Sequence, residues 1–387
     1  MDGLGNGAGR RGGGRVLTGA SRRSRRGAGR AAHLTILALG GLVLGLSGCS
    51  ASAPSQPSGA ATATTAGSVA GTPRATLPAT AAAGSSGGLQ TLVVEPDQGL
   101  GAVYQAISGA GHSIDLVMYE LEDTTAVSDL VQAERRGVTV RVILDQASAR
   151  SENQAAYAAL AAGGVAVHWS STQVDITHQK TLIVDAREAL IMTGNLTPQY
   201  YATTRDFVVA DTDPADVAAI GTVFNADFSN APVTPAAGDD LVWSPGSEPR
   251  LASVIEGATR RLLIENEEMS DPEIVAALET AAGHGVEVEV CMTDSSSWSS
   301  EFAALVHAGV RVVTYAPDAS IYIHAKVIVA DPGSADERAF VGSENFSSTS
   351  LDRNRELGVV LDGSAIDGEL ATVLERDISA ATPWAAS

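Results

Sequence analysis

The sequence predicts an α/β fold made of two similar halves. Three observations predict it. Apolar strand-like runs alternate with amphipathic stretches of about 10–15 residues, the pattern of helices laid over a largely parallel sheet. The runs recur in the same order later in the chain. One nine-residue stretch, Thr177-His178-Gln179-Lys180-Thr181-Leu182-Ile183-Val184-Asp185, returns as Ile323-His324-Ala325-Lys326-Val327-Ile328-Val329-Ala330-Asp331. Both read H-x-K-x4-D, 146 positions apart.

Residues 1–48 read as an export signal. Arg22, Arg23, Arg25 and Arg26 precede an apolar run, Leu34 to Leu46, that is short for a permanent membrane span. The ending Leu46-Ser47-Gly48-Cys49 resembles a bacterial lipobox, which implies cleavage before Cys49, its lipidation, and anchoring at the outer face of the cell membrane. An ordinary secretory signal with an incidental Cys is the alternative, and the export route stays open. Residues 49–88 are almost wholly Ala, Ser, Thr, Gly and Pro, which cannot bury a core and suit a flexible tether.

The first half spans 89–232. Val93-Val94-Glu95-Pro96 opens it, and Val242-Trp243-Ser244-Pro245 opens the second half, 239–380. Ile107-Ser108-Gly109-Ala110 corresponds to Ile255-Glu256-Gly257-Ala258, and the strand after Ser113 to the strand after Arg261. A helix and a strand follow in each (Gly137 to Leu144; Gly285 to Met292), then a helix and Gly164-Val165-Ala166-Val167 or Gly309-Val310-Arg311-Val312. The Pro- and Ala-rich stretch 231–238 is a linker by composition.

Charge narrows the partners. Removing the eight Arg and one Asp before Cys49 from 25 basic and 45 acidic residues leaves 17 and 44, a formal charge of −27. Nucleic-acid binding rests on basic patches and counterion release, so this balance points away from it. Besides Cys49 there is only Cys291, in an apolar strand, read as a small buried hydrophobe; neither a disulfide framework nor Cys/His metal spacing is present.

The chain has only two lysines, Lys180 and Lys326, both inside the repeated motif. Lys is a compact point charge that the planar Arg fork does not replace. In a strand, positions two apart share a face, so His178 sits beside Lys180 and His324 beside Lys326. Two imidazoles and two ammonium groups around one pocket suit attack on a phosphodiester. A neutral His attacks phosphorus, a protonated His gives its proton to the leaving alkoxide, and the lysines neutralise the phosphoryl oxygens. This chemistry requires neither metal nor cofactor.

The doubled motif is similar to that of the phospholipase D superfamily. The resemblance covers roughly 89–380 and extends downstream. Gly342-Ser343-Glu344-Asn345 matches the family's G-S-x-N; Met192-Thr193-Gly194-Asn195 departs from it, with Met192 in place of Gly. The resemblance implies two phospholipase D-like α/β/α sandwich halves related by a pseudo-twofold, with the active site at their interface. It implies His178 as nucleophile and His324 as general acid, with the reverse left open by symmetry. Lys180 and Lys326, with Asp185 and Asp331, complete the catalytic set, although the two Asp also suit a turn at the strand end. Asn195, Asn345, Ser343 and Thr193 are the implied substrate-binding residues. Asp206 and Glu356, in Thr204-Arg205-Asp206 and Asn354-Arg355-Glu356, are the implied orienting carboxylates. The activity implied is hydrolysis of a phosphodiester, foremost a phospholipid, through phosphohistidine, by a monomer. A nuclease of the superfamily, a cardiolipin synthase-like transphosphatidylase and a non-catalytic envelope lipoprotein are the alternatives.

Other residues carry weaker expectations. Glu265-Asn266-Glu267-Glu268 and Tyr119-Glu120 follow strands that lead toward the expected site and are candidates to line it. His112, His168, His284 and His307 read as surface or helix-end residues, and Trp298, Tyr315 and Tyr322 as core, with contact to an acyl chain or headgroup as the alternative.

Overall fold

The computed structural model describes residues 89–238, 240–363 and 365–385. The export signal, Cys49 and the tether lie outside the described residues.

The first half runs β1 (Leu89–Glu95), α1 (Gly101–Gly109), β2 (Ser113–Met118), α2 (Thr124–Arg135), β3 (Thr139–Leu144), α3 (Arg150–Ala162), β4 (Ala166–Trp169), β5 (Thr181–Val184), β6 (Glu188–Met192), β7 (Thr204–Asp211) and α4 (Pro214–Phe228). The second runs β8 (Leu241–Ser244), α5 (Glu248–Glu256), β9 (Arg261–Glu265), α6 (Pro272–Gly283), β10 (Glu287–Thr293), α7 (Ser299–His307), β11 (Arg311–Tyr315), β12 (Tyr322–Ile323), β13 (Val327–Ala330), β14 (Arg338–Gly342), α8 (Ser348–Asp352), β15 (Glu356–Asp362), α9 (Ala365–Ala380) and β16 (Thr382–Pro383). Asp caps open three of these helices. Asp123, Asp213 and Asp271 each accept two backbone N–H bonds from the first turn, and Pro214 and Pro272 take the first helical position, where no N–H is needed.

The strand orders are β1-β7-β6-β5-β2-β3-β4 and, read in the same sense, β8-β15-β14-β13-β9-β10-β11-β16. The halves are thus one α/β topology used twice, related by a pseudo-twofold. The sheets are mixed, not largely parallel. Within each half the parallel ladders are β2-β3-β4 and β9-β10-β11, joined through helical crossovers, and β12 adds a short parallel pairing to β7 across the halves; β5-β6-β7 and β13-β14-β15 are antiparallel meanders. The meanders arise because the chain reverses directly after each motif: Asp185 and Asp331 take φ of 53° and 51°, a conformation that Asp tolerates better than most residues. The second half also runs past residue 380, since β16 adds an edge strand to β11.

Each sheet buries its outer face under its own helices, α1–α3 or α5–α7. The inner faces share one core with α4 and α9, where Ile183, Phe207 and Val217 of the first half meet Val327, Leu357 and Leu374 of the second in one contiguous cluster. All four residues of β5 and of β13 are buried, as strands covered on both faces must be. No helix among the described residues is long and apolar enough to cross a membrane.

Candidate active site

The His–Lys pairs sit at the entrances of β5 and β13, not inside them; the strands begin at Thr181 and Val327. Strand alternation therefore does not set their geometry. Backbone bonds to the opposite half do. The N–H groups of His178 and Gln179 both donate to the Arg355 carbonyl, at 3.0 and 2.9 Å. The His324 N–H donates to the Arg205 carbonyl at 3.3 Å, and β12 pairs with the start of β7. Each motif is thus held by the strand that carries the other half's acidic residue.

The imidazoles follow the same crossing. His178 Nδ1 lies 2.9 Å from Glu356 Oε2, and His324 Nδ1 lies 2.8 Å from Asp206 Oδ1. A carboxylate on Nδ1 keeps the proton there and leaves Nε2 as the reactive nitrogen. Burial alone would raise both carboxyl pKa values. The charges of His178 beside Glu356 and of His324 beside Asp206 outweigh it and hold both low. Behind each carboxylate stands a hydroxyl. Ser343 Oγ donates to Glu356 Oε2 at 2.7 Å, and Thr193 Oγ1 to Asp206 Oδ1 at 2.6 Å. Ser350 Oγ and Asn354 Nδ2 complete the set on Glu356 Oε1 at 2.7 and 3.1 Å.

The lysines are almost wholly buried, with Lys180 1% and Lys326 0% exposed. Lys180 Nζ donates to the carbonyl of His178 at 2.5 Å, and Lys326 Nζ to that of His324. Burial pulls Lys180 down to about 7; Glu356 opposes that and Lys326 adds to it. Lys326 also depresses His178, after burial and against Glu356, so the two motifs face one space. The Oδ1 atoms of Asn195 and Asn345 are buried with no hydrogen-bond partner.

The pseudo-symmetry breaks at one place. After β2, the Tyr119 ring stands edge-on to His178 with centroids 4.8 Å apart, and Lys180 Nζ lies 5.1 Å from its centroid. At the equivalent place after β9 stands Glu267. Its Oε2 lies 3.2 Å from Lys326 Nζ and 3.5 Å from both His324 Nε2 and Asn345 Nδ2; Tyr322 Oη donates to its Oε1 at 3.1 Å. Burial pushes this carboxyl up, but His324, Lys326 and His178 together hold it far below the usual range.

A family profile described as "Cardiolipin synthase, PLD-like domain" matches residues 103–228 and again 251–378. The chain belongs to the phospholipase D superfamily. Phospholipase D-like phosphodiester chemistry follows from that membership. Relatives include cardiolipin synthase A of Citrobacter koseri, 23% identical over 350 residues, covering 77% of this chain and 70% of that protein. Cardiolipin synthase A of Cronobacter sakazakii is 24% identical over 352 residues, with the same shares covered. Among solved structures, a phosphatidylserine synthase of Haemophilus influenzae matches with a TM-score of 0.57 at 12% identity, over 75% of this chain and 88% of that one. A polyphosphate kinase of Porphyromonas gingivalis matches with 0.59 at 16%, over 74% of this chain, which spans half of that protein's length. At such identities the structural likeness shows the fold.

Several expectations drawn from the superfamily pattern are corrected by the geometry. Asp185 and Asp331 lie at the far ends of β5 and β13 from the lysines. Asp185 accepts the backbone N–H groups of Gly111, His112 and Ser113 at 3.0, 2.6 and 2.9 Å. Asp331 accepts those of Thr259, Arg260 and Arg261 at 2.8, 2.7 and 3.1 Å. They tie the turn to the next strand and take no part in the site. Thr193 and Ser343 are also not placed to bind substrate: both are fully buried, each hydroxyl donating to a carboxylate and accepting from the N–H of Phe207 or Leu357. Tyr322 is no core residue, being 38% exposed with its hydroxyl on Glu267.

Met192 has a packing reason. A Cβ on its counterpart Gly342 would lie 2.3 Å from Glu344 Oε2, because the Glu344 side chain folds back over Gly342 and Gly358. In the first half the residue at the Glu344 position is Gly194, and Met192 joins the outer core with Val208. The bulk has moved by two positions along the strand end. Gly194 in turn is required, since a Cβ there would lie 2.7 Å from Asp206 Cγ.

Among the described residues, the other histidines stay outside the site: the His112 N–H bonds Asp185, His168 stacks on Phe228, and His284 and His307 end α6 and α7. Cys291 is fully buried, and burial pushes its thiol pKa well up. Sequence reasoning gave no role to Arg205 and Arg355, although each directly precedes an orienting carboxylate. Arg205 Nε lies 2.5 Å from Asp377 Oδ2 on α9, and Arg355 Nε and Nη2 lie 2.9 and 3.2 Å from the Asp227 carboxylate on α4. Both pairs cross between halves, so they brace the strands that aim Asp206 and Glu356.

Proposed function

We propose that this phospholipase D-superfamily enzyme transfers a phosphatidyl group from a phospholipid to an alcohol acceptor, as a cardiolipin synthase-like transphosphatidylase. The observation that carries it is the crossed pair of His–carboxylate couples set around two buried lysines. One imidazole attacks phosphorus, the other protonates the leaving oxygen, and Lys180 and Lys326 with the Asn195 and Asn345 amides hold the phosphoryl oxygens. In the second step the acceptor hydroxyl attacks the phosphohistidine. Water in its place gives hydrolysis by the same steps. The names of the relatives favour the alcohol.

The protein works on a membrane, held there by lipidated Cys49 and the 49–88 tether. Its formal charge of −27 after Cys49 would otherwise repel it from anionic lipids and disfavours nucleic acid as substrate. The test is incubation of the full chain with phosphatidylglycerol vesicles, read by mass spectrometry, with His178→Ala as control. Cardiolipin and glycerol as products support transfer. Phosphatidic acid alone makes the protein a hydrolase. No turnover of phosphatidylglycerol or of bis(p-nitrophenyl) phosphate overturns the enzymatic reading.

A further inference from the structure

The two imidazoles have matching supports on Nδ1 but different neighbours on the reactive side. His324 has a carboxylate at each ring nitrogen: Asp206 at 2.8 Å from Nδ1 and Glu267 at 3.5 Å from Nε2. Two anions call for two N–H groups, which only the imidazolium possesses. His178 has one carboxylate, Glu356 on Nδ1, and the edge-on ring of Tyr119 where the second would be. An aromatic ring offers no charge to hold a second proton.

We propose that Glu267 divides the work between the two histidines. It faces the Nε2 side of His324 and keeps the proton there, which fixes His324 in the proton-donor role, and His178 Nε2 in the nucleophile role, that the superfamily resemblance implies. This rests on the phosphatidyl-transfer reading and goes beyond it, because the doubled motif by itself does not name the residue that separates the two roles. In the first step the His178 Nε2 lone pair forms an N–P bond, the P–O bond to the leaving group breaks, and the leaving oxygen takes the Nε2 proton of His324. In the second, the acceptor O–H adds to phosphorus and returns its proton to His324, and the N–P bond breaks back to the His178 lone pair. The 3.5 Å separation is that of an ion pair, not a closed hydrogen bond, so the proton is held by charge and stays transferable.

The charged groups around the two rings differ in balance. His324 is faced by three carboxylates, Asp206 of β7, Glu267 after β9 and Glu120 after β2, against Lys326 of its own segment. His178 is faced by Glu356 of β15 and, without a contact, by Glu267, against both lysines. Burial, with the two ammonium groups, drives His178 toward its neutral form against Glu356. Glu268, next to Glu267, is raised by burial and adds less negative charge than its place suggests. Glu267 is therefore a positioning residue acting through His324.

The test uses leaving groups of different need. Nitrophenolate departs without a proton, whereas the alkoxide of phosphatidylglycerol requires one. Glu267→Gln is expected to lose at least about tenfold more rate on phosphatidylglycerol than on bis(p-nitrophenyl) phosphate. Glu267→Asp, which keeps the charge, should restore part of that difference. His324→Ala with bis(p-nitrophenyl) phosphate should release a burst of about one nitrophenol per enzyme and leave the adduct on the peptide containing His178. Equal losses on both substrates with no recovery in Glu267→Asp, or an adduct on His324 in His178→Ala, would overturn the assignment. A wild-type chain inert to both diesters would instead remove the phosphatidyl-transfer reading beneath it.

Discussion

Glu356→Gln tests the crossed geometry most directly. The Glu356 carboxylate accepts four bonds: from His178 Nδ1 at 2.9 Å, Ser343 Oγ and Ser350 Oγ at 2.7 Å each, and Asn354 Nδ2 at 3.1 Å. Gln has the same shape but presents one acceptor and one donor group. Its NH2 must face either His178 and Ser343, at the Oε2 position, or Ser350 and Asn354, at the Oε1 position. Asn354 Nδ2 can only donate, so the NH2 is disfavoured there and turns toward His178 and the Ser343 hydroxyl, which can rotate to accept. When the amide N–H faces His178, Nδ1 becomes the acceptor and the ring proton moves to Nε2. The nucleophile then has no lone pair to offer. The same tautomer error in the Ser-His-Asp systems costs about 10⁴ in kcat. At about 1.4 kcal/mol per tenfold this is roughly 5–6 kcal/mol of transition-state stabilisation. The fold should be retained, because the volume is conserved and the other donors keep partners; a loss of about 1–3 kcal/mol in urea unfolding is expected. The assay pairs initial rates on phosphatidylglycerol with intact-mass detection of phosphoenzyme. A rate within tenfold of wild type, with normal phosphoenzyme, would refute the claim that a carboxylate from the second half sets the tautomer of a histidine in the first.

Two further predictions concern the interface and the lysines. Arg355→Met should cost about 2–4 kcal/mol in urea unfolding, because it strands the partly buried Asp227 carboxylate, while Arg355→Met with Asp227→Leu should regain most of it; equal losses in single and double variants would show that the pair does not hold the halves. Lys180, brought down to about 7 chiefly by burial, loses its proton in the folded chain well before the unfolded chain does at about 10.4. The unfolded state then binds more protons between those values, so the Lys180 contribution to stability rises with pH there. Affinity for inorganic phosphate should run the other way, falling by up to about tenfold per pH unit above 7. A flat calorimetric profile from pH 6 to 9 would remove Lys180 from the phosphate site.

Much of the fold was legible because repetition amplifies weak signals. The strand after Ser113 resembles many apolar runs, but its match to the strand after Arg261, in the same order relative to H-x-K-x4-D, marks a duplicated unit. The sheet's direction was not legible. Apolar runs such as Leu182-Ile183-Val184 read alike in parallel and antiparallel ladders, and only the reversal at Asp185 separates them. At the site, residue type was readable and direction was not. Thr193, Ser343, Asp185 and Asp331 carry groups suited to phosphate chemistry, yet their hydrogen bonds are already taken by carboxylates and backbone. Tyr322 looked like core because its neighbours are apolar, and only the crossing of β12 onto β7 puts its hydroxyl on Glu267.

The sequence alone determined the chemical inventory: two imidazoles, two ammonium groups, and the repeated α/β unit that carries them. That much follows from residue identity and spacing, which do not depend on how the halves meet. The tertiary structure decided the pairing. His178 takes its carboxylate from β15 and His324 from β7, 178 and 118 positions away along the chain. It also decided the asymmetry, setting Tyr119 against one ring and Glu267 against the other. Hydrogen bonds and ion pairs act over a few ångströms, so which of several carboxylates reaches a given ring depends on how the two halves pack and not on distance along the chain.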